Sequence, residues 1–106
     1  MNPTPQAVAI HLEDARHMVE LAESLGRLYE NRDFKKVFID GFIKDTAVRL
    51  VNLRASDEAQ ANEFLLKRID RGIDAVGYIQ EHMRKIEIDG ANSRASIEGL
   101  VEKGMI

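Results

Sequence analysis

The sequence predicts an all-α protein, and three observations carry that prediction. Apolar residues recur at alternating steps of four and three over two long stretches. Helix-capping residues stand before each stretch. Both prolines precede residue 6, so the residue that breaks helices most strongly is absent from the remainder. The predicted architecture is two long antiparallel amphipathic helices, at about 5–30 and 57–89, with two short helices between them. Self-association or a partner is expected to complete the bundle.

The first long stretch opens at Thr4, a suitable N-cap, with Pro5 in the first turn where proline is tolerated. Residues 1–4 before it read as an unstructured lead. Its seam is Val8, Leu12, Ala15, Val19, Ala22, Gly26 and Tyr29, and a second apolar line, Met18, Leu21, Leu25 and Leu28, runs beside it. Together they make a face broader than a two-stranded coiled-coil seam. The helix would be about 40 Å long at 1.5 Å per residue.

Asn31-Arg32-Asp33 reads as a break, with Asp33 as the next N-cap. Phe34, Val37, Phe38 and Ile39 define a short helix stopping near Gly41, and Phe42 and Ile43 fall in the connection. Asp45 is placed to cap a second short helix through Leu53. Three of the four phenylalanines lie in residues 34–42, which marks this region as the expected densest part of the core.

Ser56-Asp57-Glu58 has the form of a helix start, a hydroxyl cap followed by acids in the first turn. The seam that follows is Leu65, Ile69, Gly72, Val76, Ile79, Met83 and Ile86, with Phe64, Ile73 and Tyr78 flanking it. The helix would be about 50 Å long, with Gly90 as its C′ residue. Residues 91–106 are expected as a weak short helix or a flexible tail of one 106-residue domain. Gly26 and Gly72 both interrupt a seam; close helix approach is the favoured reason, and entry of a partner's bulky side chain is the alternative.

Composition narrows function. The chain has 106 residues, is 44% hydrophobic and 31% charged, and contains no cysteine. Disulfides, thiolate metal sites and cysteine catalysis are therefore excluded. The first residues lack the basic start and apolar run of a signal peptide, and no apolar stretch has the length of a membrane span. The expected setting is a cytoplasm. Net charge is −3, so nucleic acid is not the expected partner. Charge is uneven: residues 32–55 hold six Lys/Arg against three acids, while residues 1–31 hold five acids against two Arg. A basic middle segment binding nucleic acid is a third reading, and complementation within the fold is the simpler one.

Asp14 and His17 have the i, i+3 spacing of helical carboxylate-bridged metal sites, with Glu13 and Glu20 one turn away. Such a site needs a second carboxylate-x-x-His, and the residue three before His82 is Ile79. His11, His17 and His82 are read as surface residues. No phosphate loop, dinucleotide fingerprint or zinc-protease motif occurs. No metal or cofactor and no enzymatic activity is expected. Asp45–Arg71 has a helix-turn-helix outline, but its second helix opens on acids that would repel phosphates, so it reads as a helical hairpin.

The runs Asn31-Arg32-Asp33-Phe34-Lys35-Lys36-Val37, Gly41-Phe42-Ile43-Lys44-Asp45 and Ala47-Val48-Arg49-Leu50-Val51-x-Leu53-x-Ala55, with Ile86, Gly90 and Ala95 beyond, carry a resemblance. They resemble small helical proteins of tailed bacteriophages encoded among virion-structure and packaging genes. The similarity spans most of residues 20–95, with Phe42 where tyrosine is common. It implies a non-enzymatic virion or assembly accessory protein in the infected host's cytoplasm or the particle. Its partner would be a capsid, portal or similar protein, or a second copy. The alternative is an early protein that blocks a host polymerase or defence nuclease. The candidate contact residues are Arg49 and Arg54 beside the apolar middle, and Ile97, Leu100 and Val101 in the tail.

Overall fold

A computed structural model describes residues 4–106, so most of the expected lead lies outside the described residues. Helices and short turns account for those residues, with no strand among them. The elements are α1 (Pro5–Glu30), α2 (Arg32–Phe34), a π-helical segment π1 (Lys35–Thr46), α3 (Ala47–Arg54), α4 (Asp57–Gln60) and α5 (Glu63–Glu102).

Local chemistry explains the boundaries. The Thr4 hydroxyl accepts from the Ala7 N–H at 3.1 Å and starts α1. Asn31, rather than Asp33, caps α2, its side-chain oxygen accepting from the Phe34 N–H at 2.9 Å. The Ser56 hydroxyl accepts from the Ala59 N–H at 3.2 Å and donates to the Leu53 carbonyl at 2.6 Å, tying α3 to α4. Asn62 caps α5 by accepting from the Leu65 N–H at 3.1 Å. Replacing the Ser56 hydroxyl in Ser56→Ala is expected to cost about 1 kcal/mol of stability, read as a lower urea midpoint with unchanged slope.

Three expectations about boundaries are corrected. The helix predicted at 57–89 is two helices, because Ser56 and Asn62 each supply a start and residues 61–62 form a turn between them. Gly90 does not end the last helix, which continues through residues 91–102, the stretch for which a separate weak helix was one expectation. The stop lies at Gly104, whose φ is +69°. Its N–H donates to the Val101 carbonyl at 3.0 Å and the Met105 N–H to the Leu100 carbonyl at 2.9 Å, the two bonds of a Schellman cap. Finally, Gly41 and Asp45 neither stop nor cap a helix. Backbone bonding from residue i to i+5 carries the chain through both into α3, and Thr46 makes no side-chain cap there.

The chain forms two compact units, one of residues up to Arg27 with Met83–Ile106, the other of Leu28–His82. In the first, the α1 and α5 segments run antiparallel. Ala22 meets Gly90, Glu23 pairs with Arg94 at 3.3 Å, and Val8 and Leu12 lie with Met105 and Ile106 around one apolar depression. Ala15, Leu25 and Gly90 are buried there. Approach is close at Gly90: a Cβ on it would lie 2.4 Å from the Ala22 Cβ and 3.4 Å from the Met18 carbonyl oxygen. Only glycine leaves room.

In the second unit α3 and the start of α5 form the expected helical hairpin. Leu50 packs over Gly72, where an added Cβ would come within 2.9 Å of the leucine Cδ1. Ile43, Ala59, Ile69 and Val76 are the buried apolar residues of this unit. Phe34, Phe38 and Phe42 are half-buried rather than central. They form a ladder with Tyr29, stacked at 5.1 Å between Phe34 and Phe38 and 5.6 Å between Phe38 and Phe42, because four-residue spacing brings successive rings over one another. Gly26 is exposed with open space around it, so close approach does not account for that glycine.

Candidate functional site: the outer helix faces

Among the described residues the buried apolar ones are Ala15, Leu25, Ile43, Ala59, Ile69 and Val76, two of them alanines. Many larger side chains face solvent. Ile10, Met18, Leu21 and Leu28 on α1, Val48 and Val51 on α3, and Phe64 and Tyr78 on α5 are all exposed. Single exposed apolar residues are ordinary, but aligned sets on regular helices are characteristic of protein contact surfaces.

Phe64 and Tyr78 were expected beside the buried seam and are instead 84% and 77% exposed. The reason is angular. At 100° per residue they lie well around the helix from Ile69 and Val76. They bound an exposed line, Phe64, Arg68, Arg71, Ala75, Tyr78 and His82, that repeats the four-three rhythm one residue ahead of the buried seam. No carboxylate interrupts it. The acids of this stretch, Glu63, Asp70, Asp74 and Glu81, lie along an adjacent ridge, and two are already engaged: Asp70 with Arg54 and Glu63 with Lys67. Arg68 and Arg71 form no ion pair among the described residues. This line is the surface that sequence reading missed. Its signal was present as a second period in the same helix, overshadowed by the more apolar one.

The sequence-selected contact residues are dispersed. Arg49 is exposed on α3. Arg54 holds Asp70 at 2.6 Å, with both side chains about half exposed (51% and 44%), so it links the hairpin and contributes below about 1 kcal/mol. In the last turns of α5, Ile97 and Leu100 are half-buried and Val101 is exposed.

Among the described residues no three His, Asp or Glu side chains converge as metal ligands, and Asp14, His17, Glu13 and Glu20 are all exposed along α1. A groove of about 400 Å³ in the first unit has Ala22, Gly90, Ala91 and Ala95 in its lining, with Glu23 and Arg94 at its edge already paired to each other. Its lining is otherwise completed by the carboxylate-bearing Glu87 and Glu98. No described helix is long and apolar enough to cross a membrane. Compared with protein families, curated proteins and solved structures, the chain matches none.

Proposed function

We propose that the chain is a non-enzymatic helical adaptor, an accessory protein of a tailed-phage particle or of its assembly. It binds another virion protein, such as capsid or portal, or a second copy of itself. The observation that carries this reading is the exposure of aligned apolar and arginine side chains on the outer faces of α1 and α5, beside a core of few large residues. Tyrosine and arginine are the side chains that most often dominate protein–protein contacts. The bundle left open by these faces is completed by whatever docks on them. The phage setting rests on the resemblance of residues 20–95.

Quantitative mass spectrometry of purified particles tests the proposal. Recovery of the chain at a fixed copy number per particle is the expected result. Its absence from particles, with early expression and capture of a host polymerase or nuclease, would replace the adaptor with the host-blocking alternative.

A further inference from the structure

The exposed α5 line specifies its occupant by chemistry. Two aromatic side chains stand 14 residues apart on nearly one azimuth, roughly 21 Å along the axis. Between them lie two arginines without carboxylate partners and the small Ala75. A complementary helix must bring apolar side chains in the same four-three rhythm, carboxylates near the arginines and a large residue opposite the alanine. The outer face of α1 has this composition. Ile10, Asp14, His17 and Leu21 repeat the rhythm, all are exposed, and Glu13 and Glu20 flank them. Ile10 is 63% and Leu21 41% exposed.

We infer that the α5 line of one copy docks on the outer α1 face of a second copy. This rests on the adaptor reading and names one partner within it. Aligned in the same direction, the two helices set Ile10 opposite Phe64, Asp14 opposite Arg68, His17 opposite Arg71 with Glu13 and Glu20 one turn to either side of it, and Leu21 opposite Ala75. The contact is heterologous, because different surfaces of the two copies meet. Each copy that offers α5 still has a free α1 face, so the assembly grows past a dimer until a ring closes or a filament forms. One helix–helix contact is small on the scale of stable interfaces, so association in the range of about 10–100 µM is expected.

Charge reversal tests the pairing through sedimentation of the full chain, with circular dichroism checking that each variant stays helical. Wild type is expected to associate reversibly beyond dimer. Arg68→Glu with Arg71→Glu, and separately Asp14→Lys with Glu20→Lys, each weaken self-association by roughly a hundredfold. Mixed together, the two doubly substituted chains associate again, since each now meets its complement. A monomeric wild type at high micromolar concentration overturns the inference. So does wild-type association that survives either reversal, or a mixture that fails to recover it. The adaptor reading fails separately, through absence of the chain from particles.

Discussion

Gly90→Val is expected to unfold the unit built from the early part of α1 and the late part of α5. The valine Cβ alone would sit 2.4 Å from the Ala22 Cβ, far inside van der Waals contact, with the Met18 carbonyl one turn earlier on the same helix at 3.4 Å. The helices must separate or twist, which exposes neighbours of the buried Ala15 and Leu25. Overpacking of this kind costs roughly 1–3 kcal/mol, and more where backbone must move. Gly90→Ala is the sharper version of the experiment. Helix propensity alone predicts a gain of up to about 1 kcal/mol, whereas the clash predicts a net loss. Adding Ala22→Gly removes the opposing methyl and is expected to restore most of the stability. Urea denaturation of the four chains closes a double-mutant cycle, and a coupling near zero contradicts the close approach.

Ile69→Ala is the second large effect. Ile69 is 2% exposed on the α5 face that carries Gly72 and Val76, the face on which Leu50 packs. Its removal leaves a cavity in a unit whose other buried apolar residues are only Ile43, Ala59 and Val76. A loss of about 2–5 kcal/mol is expected, a large part of the stability of a domain of this size. The paired control is Phe64→Ala on the same helix. Phe64 is 84% exposed and should change stability by no more than about 0.5 kcal/mol while altering self-association. An equal loss from both substitutions would contradict the assignment of inner and outer faces.

These cases show what could be read from residues alone. Helical content and the α5 seam were legible because periodicity is a local property of the chain: Ile69 and Val76 are buried, and Leu65, Gly72 and Ile79 are half-buried beside them. Thr4 and Ser56 were legible because capping needs only neighbours within three residues. Gly90 was misread because a glycine after a seam has two physical meanings, helix stop or close approach. Only the position of Ala22 in the fold decides between them. The run through Gly41 and Asp45 was misread because i to i+5 bonding leaves no distinctive residue pattern. The outer α5 line was hidden in plain view. Phe64 and Tyr78 look like core residues by composition, and only their azimuth relative to Leu50 and Gly72 turns them outward.

The same azimuths underlie the proposal that the outer faces of α1 and α5 are docking surfaces for protein. Sedimentation of the wild-type chain over a wide concentration range, in the presence and absence of disrupted particle proteins, tests it most directly. The predicted result is reversible growth in mass, alone or on addition of a virion protein. One ideal monomer at every concentration, unchanged by those proteins, would contradict it.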